Sequence, residues 1–124
     1  MLPHKKHVLC VEDDEETCLL ICNLLGLIDC EVTAVQSVGE ALDKIKDGKF
    51  DLYLLDNWLP GGSGIELCRK IRETDSQTPV IFYSGAAYDS DKQEAMKAGA
   101  QVYLVKPADI SLLVTSIREL LYLE

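Results

Sequence analysis

Five polar side chains stand where an apolar run ends. Glu12 and Asp13 follow Val8–Val11, Asp56 follows Leu52–Leu55, Ser84 follows Pro79–Tyr83 and Lys106 follows Val102–Val105. Carboxylates crowded together raise one another's pKa unless a cation neutralises them. An all-oxygen donor set favours Mg²⁺ or Mn²⁺, and Mg²⁺ is usually held by one or two carboxylates, waters and phosphate oxygens. With such an ion and an ammonium beside it, an aspartate is a competent nucleophile toward a phosphoryl group, and a serine hydroxyl can donate a hydrogen bond to the transferring oxygens. The product of that chemistry is an acyl phosphate on Asp56.

The elements that must position these groups are legible from periodicity. Val8–Val11 reads as a strand, and Glu16–Leu27 carries Leu19, Leu20, Cys22, Asn23 and Leu24 at helical spacing. Val32–Val35 reads as a second strand, after which Ser37 and Glu40 form a capping box for a helix through about Asp47, with Gly48 as a left-handed stop. The pattern continues with a strand Leu52–Leu55, a helix Gly64–Thr74, a strand Pro79–Tyr83 and a helix Asp91–Ala98 closed by Gly99. A strand Val102–Val105 precedes a helix that Asp109 can cap, with Ile110, Leu113, Ile117 and Leu120 on one face. Such alternation predicts right-handed crossovers and a doubly wound α/β domain: a five-stranded parallel sheet of flavodoxin-like order 2-1-3-4-5 with helices on both faces. Strands apolar throughout agree with a sheet buried on both sides. Ligands of such folds bind outside the carboxyl ends of the strands, where Glu12, Asp13, Asp56, Ser84 and Lys106 all fall.

At 124 residues the chain suits a single domain spanning 1–124. A net charge of −9 opposes direct nucleic-acid binding by this domain, and no apolar run is long enough for membrane insertion. Five cysteines with no C-x-x-C pair and no zinc-ligand spacing read as free thiols in a reducing cytoplasm.

The segments "VLCVEDDEE", "YLLDNWLPGGSG", "PVIFYSGAA" and "GAQVYLVKPAD", in this order and over essentially the whole chain, resemble the receiver domain of two-component response regulators, the CheY-like family. The resemblance implies that Asp56 is the phosphoacceptor, and that Glu12, Asp13, Asp56 and the backbone carbonyl of Trp58 hold Mg²⁺ (or Mn²⁺). It implies that Ser84 and Lys106 bind the phosphoryl oxygens, that Tyr103 is the switch aromatic paired with Ser84, and that the Lys106–Pro107 bond is cis. The domain would be a regulatory phosphoacceptor rather than an enzyme, loaded by a histidine kinase or histidine phosphotransfer protein. Its output would be a changed surface around the fourth helix, fifth strand and fifth helix, presented to a partner that the sequence does not name. Trp58 and Ala86 take the positions that flank the hydrolytic water in this family, and neither offers it an acceptor, which implies slow self-dephosphorylation. The chain departs from the family pattern at Glu12, Leu59, Ser63 and Ala108, where aspartate, methionine, aspartate and phenylalanine are commoner.

Each piece alone has a blander reading. "EDDEE" suits a solvated helix start, "PGGSG" a turn, Tyr103 a core aromatic and Lys106 a snorkelling lysine. Three rival readings compete: one shares the strand-end aspartate and Mg²⁺, and the other two share the fold. A phosphatase of the haloacid dehalogenase type needs a second acid where Trp58 stands, and a flavin binder would meet repulsion from Glu12, Asp13 and Asp14. A phosphorylation-independent interaction module has no need of the full acid, hydroxyl and lysine set.

Overall fold

The computed structural model describes residues 5–122. Its chain order is β1 (Lys6–Val11), α1 (Glu15–Gly26), β2 (Cys30–Val35), α2 (Val38–Asp47), β3 (Leu52–Leu55), β4 (Trp58–Leu59), β5 (Gly62–Ser63), α3 (Gly64–Thr74), β6 (Val80–Ser84), α4 (Asp89–Ala98), β7 (Val102–Val105) and α5 (Ile110–Tyr122). The main sheet runs β2-β1-β3-β6-β7, every pairing parallel. This is the expected 2-1-3-4-5 order once the short antiparallel hairpin β4–β5 is set aside. That hairpin is an addition to the sequence reading, being too short to show a period.

Alternate residues of each strand enter two cores. Leu9, Val11, Tyr53, Leu55, Val80 and Phe82 pack with Ala41 of α2, Leu67, Cys68 and Ile71 of α3, and Ala95 of α4. Val8, Cys10, Leu52, Leu54, Ile81 and Tyr83 pack on the other face with Ile21 and Leu25 of α1 and Leu113 and Ile117 of α5. Each Leu or Ile so placed stabilises the fold by roughly 1.5–3 kcal/mol relative to exposure. All five cysteines are free, and among the described residues no helix is long and apolar enough to cross a membrane.

The helix ends aim the loops that carry the rim. Ser37 Oγ accepts from Glu40 N at 3.2 Å, which is one half of the expected capping box; the Glu40 carboxylate accepts from the Ser37 hydroxyl at 3.2 Å rather than from its backbone N–H. Ser63 repeats the device at α3, accepting from Glu66 N at 3.1 Å, a Ser-x-x-Glu signal the sequence reading passed over. Two terminal expectations fail. Gly48 is extended (φ −170°, ψ 177°) rather than left-handed, because the chain leaves α2 straight into the segment that leads to β3. The Asp109 carboxylate turns back to accept from Val105 N at 2.9 Å instead of capping α5 forward, so it braces the end of β7. Gly99 is left-handed (φ 115°, ψ 15°) as expected, and its carbonyl accepts from Arg72 Nε at 3.1 Å and Nη2 at 2.8 Å. The same guanidinium reaches Asp75 O at 3.0 Å, so one α3 side chain fastens the C-terminal end of α4.

Candidate functional site

The parallel register delivers the five polar groups to one rim. Glu12 N extends the sheet by bonding Val35 O at 2.9 Å, Asp56 N does the same to Val11 O at 3.0 Å, and Lys106 N to Ser84 O at 3.0 Å. Because these backbone bonds continue the ladder past each strand, the side chains they carry are fixed by the sheet rather than left on mobile loops. Oxygens of Glu12, Asp13 and Asp56 lie within 4.8 Å of one another. Glu12 and Asp56 are buried, whereas Asp13 is exposed and gives the pocket its open side. The set contains oxygen donors alone, which fits a hard divalent cation.

Lys106 closes the pocket from β7. Its Nζ donates to Asp56 Oδ2 at 3.1 Å and to Glu12 Oε1, with the lysine side chain only 20% exposed. Burial pushes the Glu12 carboxyl up, the Lys106 bond and the Asp14 amide pull it down, and the Asp56 charge adds to the upward push. Burial also works against the Lys106 charge, yet the bonds and charges of Glu12 and Asp56 outweigh it and hold the ammonium above its usual pKa. Two acids thus share one cation, one positive charge short of neutrality, which is the electrostatic setting that a metal ion relieves.

Below the acids lies Ser84, 1% exposed at the end of β6. Its Oγ accepts from Asn57 N at 3.4 Å and from Ala86 N at 3.2 Å. Ala86 in turn accepts at its carbonyl from the Tyr103 hydroxyl at 2.6 Å, and the Tyr103 ring stacks on Phe82 with centroids 5.5 Å apart. Ala86 therefore connects the serine to the aromatic through its own two backbone groups, a link that residue spacing could not have exposed. Trp58 sits on β4 with 70% of its surface exposed, while the Ala86 methyl is buried. The Lys106–Pro107 peptide is cis.

Two further positions matter here and were not singled out in the sequence. Gly64 opens α3 and donates from its N–H to Asn57 O at 2.7 Å. A Cβ on it would lie 2.2 Å from Asp56 O and 2.9 Å from Phe82 Cε2, so only glycine lets α3 come this close to the end of β3. Asn57 is the other, a buried amide directly after Asp56. The Gly-Gly-Ser-Gly stretch reads simply as a turn until the partner backbone is in view.

The response regulator receiver domain model matches residues 8–118. The chain is 40% identical over 114 residues to the uncharacterized transcriptional regulatory protein YkoG of Bacillus subtilis, covering 92% of this chain and 50% of YkoG. It is 41% identical over 101 residues to the autoinducer 2 sensor kinase/phosphatase LuxQ of Vibrio vulnificus, covering 81% of this chain and 12% of LuxQ. It thus spans about half the length of the first relative and a small part of the second. Among solved structures, the BeF3-activated N-terminal receiver domain of Klebsiella pneumoniae RstA superposes with a TM-score of 0.88 at 32% identity, covering 94% of this chain and 99% of that one. Sheet order, rim chemistry and these likenesses agree, and the chain belongs to the receiver domain family of two-component response regulators.

Proposed function

We propose that Asp56 accepts a phosphoryl group from a phosphohistidine, that Mg²⁺ is the supporting ion, and that the modified domain signals through the surface of α4, β7 and α5. The observation that carries this reading is a buried Asp56 carboxylate held 3.1 Å from Lys106 Nζ, with oxygens of Glu12 and Asp13 in the same 4.8 Å cluster. When bound, the ion would offset charge on the transferring oxygens. Glu12 and Asp13, with Asp56 and the Trp58 carbonyl, are the groups to hold it. Lys106 orients Asp56 and remains to pair with a phosphoryl oxygen, and the Ser84 hydroxyl can turn toward another. That turn withdraws the acceptor from Ala86 N–H, and the same residue's carbonyl holds the Tyr103 hydroxyl, so the change reaches β7 through one residue.

In this reading the domain catalyses only its own modification. Its donor is a histidine kinase or histidine phosphotransfer protein, in keeping with likeness to both a sensor kinase and transcriptional regulators, and the transfer takes place in the cytoplasm. The acidic balance leaves nucleic-acid contact to other parts of any longer protein. Acetyl phosphate with Mg²⁺ is expected to add one phosphoryl group to the wild type, none to Asp56→Asn, and none after EDTA. Intact-mass measurement reads all three, and equal labelling of wild type and Asp56→Asn would remove Asp56 from the role.

The acyl phosphate should also be long-lived. An indole at Trp58 and a buried methyl at Ala86 offer no acceptor to an attacking water. Trp58→Asn supplies one and is expected to speed single-turnover decay about tenfold, or about 1.4 kcal/mol of barrier. Decay no faster than wild type would show that the indole does not limit hydrolysis.

A further inference from the structure

Asn57 is 4% exposed, and its Oδ1 is the one buried side-chain oxygen or nitrogen that no protein group pairs with among the described residues. The backbone of this residue is held on both sides. Its backbone N–H is given to Ser84 Oγ at 3.4 Å, its carbonyl accepts from Gly64 N at 2.7 Å, and the preceding Asp56 carbonyl is walled in where a Gly64 Cβ would lie 2.2 Å away. A buried acceptor without a donor is disfavoured, and a leucine, branched in the same way but without polar atoms, would avoid that penalty. An amide kept beneath the acceptor strand at that cost suggests a partner in a second arrangement of the same groups.

Of the groups bonded to Asn57, Ser84 is the one whose side chain can turn. Its Oγ now takes two N–H bonds, from Asn57 and Ala86. When the hydroxyl turns to a phosphoryl oxygen on Asp56, both donors lose their acceptor inside a closed space. A water molecule in that space meets three partners, enough to hold a buried water: it accepts from Asn57 N–H and Ala86 N–H and donates to Asn57 Oδ1. We propose that Asn57 is a positioning residue of the switch, and that its Oδ1 anchors a water which replaces the Ser84 hydroxyl in the phosphorylated state. The amide then opposes the resting arrangement and favours the active one, which adds to the differential stability that drives the shift. This inference rests on the phosphoacceptor reading above.

Thermal melting of wild type and Asn57→Leu, each with Mg²⁺ and with or without saturating beryllofluoride as the phosphoryl mimic, tests it. The leucine variant is expected to melt about 4 °C above wild type without the mimic, and to gain less from the mimic by a similar margin. An equal beryllofluoride gain in the two proteins overturns the proposal alone. No gain in wild type overturns the phosphoacceptor reading and the proposal with it. A wild-type measurement guards against a variant that fails to fold: the Asn57 side-chain carbonyl ¹³C resonance should move downfield on adding beryllofluoride, as it does when an amide oxygen begins to accept a hydrogen bond. A resonance that stays in place overturns the proposal.

Discussion

Gly64→Ala is expected to destabilise the domain by about 3 kcal/mol and to lower its melting temperature by about 10 °C. The new methyl would sit 2.2 Å from the Asp56 carbonyl oxygen and 2.9 Å from a Phe82 ring carbon. One of those neighbours is backbone and the other a fully buried ring, so neither can swing aside as a surface side chain would. Relief requires α3 to back away, which stretches the 2.7 Å bond from Gly64 N to Asn57 O and displaces the end of β3 that carries Asp56. Labelling by acetyl phosphate should therefore fall even where the variant is still folded. Gly39→Ala in α2 is the matched control, since nothing lies within 4 Å of its added methyl and alanine is the better helix former. A Gly64→Ala melt within a degree or two of wild type would mean that the close approach carries no such constraint.

Lys106→Met should cost about 2–3 kcal/mol at pH 7.5 and much less near pH 4.5. Removing one partner of a buried ion pair costs roughly 3–5 kcal/mol, reduced here because the lysine side chain is 20% exposed. The sign follows from proton linkage. Folding raises the Glu12 pKa above its ordinary 4.5, so the contribution of this carboxyl to stability is fully present below 4.5 and is lost as pH rises through the folded value. Without the ammonium the folded value climbs further, the loss above it deepens, and the acidic end is spared. Lys106 is itself raised above 10.5, so the stability it supplies to wild type persists through neutral pH and disappears only in alkali. Melting temperatures across this range read the effect. A deficit equal at both ends would assign Lys106 a packing role alone, through its stem and the Tyr83 ring 5.9 Å from its Nζ.

Much of this architecture is visible in the residues themselves. Strands covered on both faces must be apolar at every position, so Leu52–Leu55 and Val80–Tyr83 announce themselves, and a carboxylate or hydroxyl ending such a run can only face the rim. Glu12, Asp13, Asp56, Ser84 and Lys106 were identifiable for that reason. What escaped depends on contacts between distant segments. Gly64 resembles any turn glycine until the Asp56 carbonyl lies beside it, and Ala86 joins Ser84 to Tyr103 through backbone atoms that no residue type advertises. Gly48 and Asp109 were misjudged because capping rules describe a helix end in isolation. At both places the following or preceding strand takes precedence.

The Arg72 fork gives α4 unequal ends. Its last turn is fastened to α3 by two bonds to Gly99 O and sealed by a left-handed glycine, while its first turn adjoins the loop whose bonds run to Ser84 and Tyr103. In the proposed switch, a rod tied this way would tilt as a lever with its pivot at Gly99. At ten residues it is about 15 Å long, so a tilt of about 10° about the pivot carries the Tyr88 end about 2.6 Å and leaves the Arg72 end almost still. Under the proposed switch, a rotamer change at Ser84 would therefore be felt most at the end of α4 nearest the site, within the α4, β7 and α5 surface proposed for output.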